Sequence, residues 1–280
     1  MPNVTRGSVE LNYDVRGTGP AAILFNHSST SNLSWSERFL ESLAEEFTVV
    51  TPDYRGTGLS SPVTEEFSIV DLAADGIAVL DEENIDKAIV VGTSLGGAVA
   101  QEFALNFPER LTSLVLLGTF AGSKHSVPFN ADAIELFEQA LQLDSKLERW
   151  RKALPVTFSR EFLREHEDLA LELELKGLRY TTGETLRWHG QAASKFEAHD
   201  RLPSISVPSL VIHGTADPIL PLENGRILAG QLAESEFVEM GGIGHLPAVE
   251  RPLETAELIR RFASIRYAAA RDRFSRHASS

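Results

Sequence analysis

The chain has no cysteine among its 280 residues. It therefore holds no disulfide, and an oxidising compartment is neither required nor excluded. No apolar run reaches the ~18 residues that a membrane-spanning helix needs. The opening residues, Met1-Pro2-Asn3-Val4-Thr5-Arg6, lack the apolar core of a signal peptide, so a cytoplasmic protein is expected. Positive charge is scarce. Lys and Arg number 26 against 40 Asp and Glu, a net charge of −14. A field of that sign opposes nonspecific binding to nucleic acid or anionic lipid, and neither is an expected partner. The arginines at or near the C-terminus (Arg266, Arg271, Arg273 and Arg276) read as a small basic, solvated end. No His-Glu-x-x-His occurs and no pair of histidines shows metal-ligand spacing, so no metal is expected, and no cofactor.

What is present is an alternation of strand-like and helix-like patterns, with 42% hydrophobic residues. That alternation predicts an α/β protein with a mostly parallel sheet and an insertion. The most informative segment is Gly92-Thr93-Ser94-Leu95-Gly96. It follows the buried strand pattern Lys87-Ala88-Ile89-Val90-Val91. It precedes a run in which Ala98, Phe103 and Phe107 recur near helical spacing. A serine on such a strand-to-helix bend is forced into a strained conformation, and glycines two before and two after leave room for it. The free amides at the start of the next helix point to the same place.

Two further strand ends supply a base and an acid. Ser209-Leu210-Val211-Ile212-His213 leads to Gly214-Thr215-Ala216-Asp217-Pro218, and Glu236-Phe237-Val238-Glu239-Met240 leads to Gly241-Gly242-Ile243-Gly244-His245. A serine hydroxyl is a poor nucleophile at neutral pH. An imidazole takes its proton, and a carboxylate fixes the tautomer of that ring. Each residue also has a plain reading. Ser94 fits a tight turn, Asp217 fits a helix cap before Pro218, and His245 is one of eight histidines. Three coincidences, each at a strand end, favour the joint reading. Of the other histidines, His125, His166, His189 and His199 read as solvated or cap residues, His213 as a packed, hydrogen-bonded core residue, and His277 as part of the tail.

The order Ser94, Asp217, His245 resembles the α/β-hydrolase superfamily, and the likeness spans nearly the whole chain. Strands at Ser8–Arg16, Ala21–Phe25 and Thr48–Val50, a helix at Phe67–Leu80 and a strand at Leu114–Leu117 stand in the order of that fold. Asp53-Tyr54-Arg55-Gly56-Thr57-Gly58-Leu59-Ser60 is similar to its D-x-R-G-x-G-x-S loop, which implies a loop-fixing pair in Asp53 and Arg55. The segment Asn26-His27-Ser28, placed through Trp35, stands where relatives carry His-Gly and an oxyanion-hole residue. The resemblance implies an oxyanion hole from the amides of Ser28 and Leu95. It leaves the His27 side chain either shaping the loop or touching substrate. A variant of this loop resembles 3-oxoadipate enol-lactonase-like hydrolases.

The superfamily places a cap between the strand at Leu114–Leu117 and the acid-bearing strand. Here that implies a helical cap over 121–203 and a core of 1–120 and 204–280. Helices are expected at Ala131–Ser145, Ser145–Leu154, Arg160–Gly177 and Thr185–Ala198, punctuated by Pro155 and Gly183. Phe120 and Trp188 are the expected pocket-lining residues. Arg187 or Lys195 reads either as a site for a substrate carboxylate or as solvated. The reaction so implied is hydrolysis of a carboxylic ester or lactone, with a small-molecule partner and, as an open possibility, a homo-oligomer. A cofactor-free haloperoxidase or perhydrolase, a C–C bond hydrolase, and a non-catalytic ligand-binding relative are the alternatives.

Overall fold

Both faces of the central strands carry apolar side chains, so the sheet must be covered on both sides. In the strand Ala88–Thr93, Ala88 and Val90 enter one buried cluster while Ile89 and Val91 enter another. The same division holds for Ile23 and Phe25 against Ala22 and Leu24, and for Leu114 and Leu116 against Val115 and Leu117. Strands buried on both faces read as continuous apolar runs rather than alternating ones.

The computed structural model describes the backbone of residues 1–277 and the side chains of residues 1–264. The elements run β1 (Asn3–Arg6), β2 (Val9–Arg16), β3 (Ala21–Phe25), α1 (Glu37–Ala44), β4 (Thr48–Pro52), α2 (Ile69–Glu82), β5 (Ala88–Thr93), α3 (Leu95–Asn106) and β6 (Leu111–Leu117). Four helices follow: α4 (Ala131–Leu141), α5 (Lys146–Thr157), α6 (Arg160–Gly177) and α7 (Gly183–Lys195). The chain returns through β7 (Ser209–Gly214), α8 (Glu223–Gln231), β8 (Ser235–Met240), α9 (Pro247–Glu250) and α10 (Pro252–His277). The sheet has eight strands in the order β1-β2-β4-β3-β5-β6-β7-β8. β1 with β2 and β2 with β4 pair antiparallel, and every later pair is parallel. This is the expected α/β architecture. The short edge strand β1 and the helix α1 are additions to the sequence reading.

Local chemistry explains the boundaries. Ser68 and Asp71 form a reciprocal capping box at the start of α2, each side chain taking the other's amide. α1 buries Phe39, Leu40 and Leu43 and packs on α10. Pro155 does not end α5. It sits inside the helix, which continues to Thr157. α6 bends at His166, where the backbone leaves helical values (φ −136°, ψ 26°). A third apolar cluster joins Leu154, Phe158, Phe162 and Leu171 of the insertion to Leu246, just before α9, and Val249 within it. The C-terminal arginine side chains lie outside the described residues. Among the described residues, no helix is long and apolar enough to cross a membrane.

Candidate active site

Ser94 lies between β5 and α3 with φ 54° and ψ −119°, a left-handed conformation unusual for a side-chain-bearing residue. The bend closes only because its flanks are glycines. A Cβ on Gly92 would collide with the Gly96 carbonyl, and one on Gly96 with the Phe25 carbonyl. The Ser94 amide donates to the Leu117 carbonyl (3.0 Å), and Gly97 N and Thr119 Oγ1 donate to the Ser94 carbonyl at 2.9 and 2.6 Å. The strain is thus held by bonds on both sides.

Asp217 follows β7 and its carboxyl is fully buried. Oδ1 accepts the amides of Ile219 (3.0 Å) and Leu220 (2.9 Å), so the residue does cap a turn. Oδ2 lies 2.8 Å from His245 Nδ1 and 3.3 Å from His213 Nε2. Burial opposes ionisation of this carboxyl. The His245 and His213 rings outweigh it and hold the group well below the usual carboxylate range. His213 is wholly buried, as expected of a core residue, and its Nε2 pairs with the Leu220 carbonyl at 2.9 Å. His245 arrives on the loop after β8, and its amide donates to the Thr157 carbonyl of α5 (2.9 Å). Ser94 and His245 border the same two cavities. No hydrogen bond joins their side chains in this conformation.

The loop Asn26–Ser31 is held from within and from above. Asn26 Oδ1 accepts the His27 amide (2.8 Å), its Nδ2 donates to the Ser31 carbonyl (2.8 Å), and Tyr54 Oη donates to the Asn26 carbonyl (2.7 Å). Ser29 has φ 62°. Its amide donates to His189 Nδ1 (3.1 Å), its carbonyl accepts from Thr181 Oγ1 (2.7 Å), and the Ser31 amide donates to the Gly177 carbonyl (2.9 Å). Among the described residues, neither the Ser28 nor the Leu95 amide has an acceptor.

A sequence model of the family described as the alpha/beta hydrolase fold matches residues 21–252. The chain belongs to this family. It is similar to 3-oxoadipate enol-lactonase 2 of Acinetobacter baylyi, at 28% identity over 89% of this chain and 91% of that protein. It is also similar to the 2-hydroxy-6-oxononadienedioate/2-hydroxy-6-oxononatrienedioate hydrolase of Paraburkholderia phymatum, at 32% identity over 87% and 88%. Among solved structures, a thermophilic esterase from Thermogutta terrifontis superposes with a TM-score of 0.79, at 25% identity over 95% and 98% of the two chains. These relatives of the α/β-hydrolase chain are hydrolases, which supports hydrolase activity here.

Several expected residues of this α/β hydrolase take other places. Phe120 does line the larger cavity, of about 600 Å³, with Leu95, Phe129 and Leu220. Trp188 lines neither cavity. It packs on the core with Arg187 stacked over it at 4.1 Å, while its helix neighbours Leu186 and Gly190 face the cavities. A one-residue rotation on a helix is about 100°, enough to turn a side chain away. Arg187 also pairs with Glu184, and Lys195 pairs with Glu66, so neither reaches the cavities. Asp53 and Arg55 do not pair with each other. Asp53 accepts the Asn32 and Leu59 amides and Asn12 Nδ2, while Arg55 binds Asp75 through two bonds of 2.8 and 2.7 Å. His189 is not solvated but buried, and burial pulls its ring down to about 4. Its spacing from the buried Thr185 and Ala192 was the available signal. The fold also brings His125, His199 and Asp200 within 4.8 Å of one another on the surface, a metal-compatible grouping that sequence spacing hid. Its rings are taken up by Glu197 and Asp200.

A smaller cavity, of about 320 Å³, adjoins Ser94 and His245. His27 borders it, as do Phe137, Trp150, Leu154 and Leu178. Glu174 does too, and sequence reasoning missed it because α6 is rich in glutamates. Glu174 is 6% exposed, and burial pushes its carboxyl from 4.5 to about 7. His27 is pulled down to about 3 by burial and by the neighbouring His245.

Proposed function

We propose that this protein hydrolyses a carboxylic ester or lactone through an acyl-serine intermediate, with Ser94 as nucleophile, His245 as base and acid, and Asp217 as its orienting carboxylate. The observation that carries the reading is the strained Ser94 sharing two cavities with an imidazole whose Nδ1 is bound to a buried carboxylate at 2.8 Å. With the proton on Nδ1, Nε2 is free to accept the Ser94 proton.

Ser94 Oγ attacks the carbonyl carbon and its proton passes to His245 Nε2. The carbonyl oxygen becomes an oxyanion facing the free amides of Ser28 and Leu95, each typically worth about 3–4 kcal/mol in such a hole. Collapse breaks the bond to the alkoxy oxygen, which takes the proton from Nε2. Water then gives a proton to His245 and its oxygen to the acyl carbon. A second collapse releases the acid and restores Ser94. In a lactone both products stay in one molecule.

The helices α4–α7 act, in this reading, as a cap. They bind the oxyanion loop through Gly177, Thr181 and His189 and the histidine loop through Thr157. The cavities they wall are largely apolar, which suits an uncharged acyl or alkoxy group. Ser94→Ala is expected to abolish hydrolysis of p-nitrophenyl esters and labelling by a fluorophosphonate, with the circular dichroism spectrum retained. Residual turnover by the folded variant would refute the assignment. A wild-type protein that binds esters but resists the probe would point to a binding protein.

A further inference from the structure

The smaller cavity ends in two polar side chains that the reaction above does not use. Glu174 and His27 lie 3.8 Å apart, from Glu174 Oε1 to His27 Nε2, too far for a hydrogen bond. His27 Nε2 is buried and has no partner. The Glu174 carboxyl has no hydrogen bond among the described residues. Neither group is there by looseness. Glu174 lies one turn before Gly177 on α6, and the Gly177 carbonyl is bound by Ser31, four residues along from His27. The helix and the loop are thus fixed against each other, with both polar groups bordering a largely apolar pocket. Paired groups at this distance leave a gap that a single donor can bridge.

The charge of the surroundings narrows the ligand. Among the described residues, His245 is the only other ionisable group lining this cavity, and the larger one has no ionisable group besides it. Among the described residues, no lysine or arginine borders either. A substrate carboxylate would meet an acid and two imidazoles, with no fixed cation to replace its lost hydration.

Resting on the reading of Ser94 as nucleophile, we propose that Glu174 and His27 form a subsite that binds a hydroxyl or ammonium group of the substrate and rejects a carboxylate at the same place. The carboxyl accepts the donor hydrogen, and the neutral ring supplies the second partner. A carboxyl that ionises near neutral pH beside a ring kept neutral agrees with this: the carboxyl accepts the hydroxyl or ammonium hydrogen, while the neutral ring donates to a hydroxyl oxygen or accepts a second ammonium hydrogen.

Two sets of p-nitrophenyl and alkyl esters test it, one varied at the acyl terminus and one at the alcohol terminus, each ending in methyl, hydroxyl, ammonium or carboxylate. In at least one set the wild type should prefer the hydroxyl or ammonium ester over the carboxylate ester by about tenfold or more in kcat/KM. Glu174→Gln and Glu174→Leu should each cut that ratio by about tenfold. The ratio is taken within each variant, so a change in overall rate does not enter it, and Glu174→Gln keeps the shape should Glu174→Leu fail to fold. Calorimetric binding of hexylammonium, 1,6-hexanediol and hexanoate to the wild type gives a readout free of turnover. Hexanoate binding as tightly as hexylammonium, or a terminus ratio near one in both sets while the methyl esters are cleaved, overturns the subsite and leaves ester hydrolysis standing. Selective hexylammonium binding that Glu174→Leu abolishes, in a protein that cleaves no ester, supports the subsite and removes the hydrolysis reading.

Discussion

The sheet and the helical insertion meet at Ser94 but are built differently. The strand ends hold Ser94, Asp217 and His245 by backbone geometry and by hydrogen bonds to a buried carboxyl. The insertion is firm only along its seam with the sheet. There Glu250 accepts the Ser159 amide (2.9 Å), Ser159 Oγ (2.6 Å) and the Gly244 amide (3.2 Å), tying the start of α6 to the histidine loop. Its outer wall is loose by comparison. α4 buries only Ala133 and Ala140, while Phe129, Ile134, Phe137 and Leu141 stay substantially exposed. A site assembled on rigid elements keeps its geometry, and a wall with few buried contacts adapts to what enters.

The largest effect should come from the rigid side. Asp217→Asn is expected to lower kcat by about 10³–10⁴, as loss of the orienting carboxylate does in serine triads, with KM little changed; steady-state kinetics on p-nitrophenyl acetate would check it. Cutting the seam comes next. Glu250→Ala strands the Ser159 and Gly244 amides and should cost about 2–4 kcal/mol in urea denaturation. It should also lower kcat, because Gly244 precedes His245. Unchanged stability would mean that the seam does not bind the two regions.

The buried acid of the pocket should appear in the pH profile of stability. The Glu174 carboxyl titrates near 7 in the fold against 4.5 in the unfolded chain. The fold therefore holds this proton more tightly. That contribution is fully present below about pH 4.5 and is lost as pH rises through 7, with an amplitude of at most about 3 kcal/mol. Denaturation from pH 4.5 to 8 should show this decline in the wild type and a flatter profile in Glu174→Gln. The smallest effect belongs to the loose wall. Phe137→Ala should cost within about 1 kcal/mol, since the side chain is 37% exposed. It should still raise KM for long-chain esters, because Phe137 borders both cavities.

Much of the candidate site is legible along the chain because its geometry depends on local rules. A serine between glycines at a strand-to-helix bend demands the strained turn, Asp217 follows a continuous apolar run that forms a buried strand, and His245 follows an alternating run that forms the edge strand. The pocket was less legible. Leu186 and Gly190 border it where the sequence points to Trp188, because α7 docks through Thr185, His189 and Ala192. Glu174 differs from the other glutamates of α6 only in the face it occupies after packing.

The sequence alone determined the elements, their order and the three side chains at the strand ends, because hydrophobic period and backbone freedom act over a few residues. Tertiary structure alone decided who meets whom across the fold: Arg55 with Asp75, His189 with Ser29, Glu174 with His27. Those meetings depend on the angle at which whole helices settle, and that angle is set by summed packing over surfaces far apart in the chain.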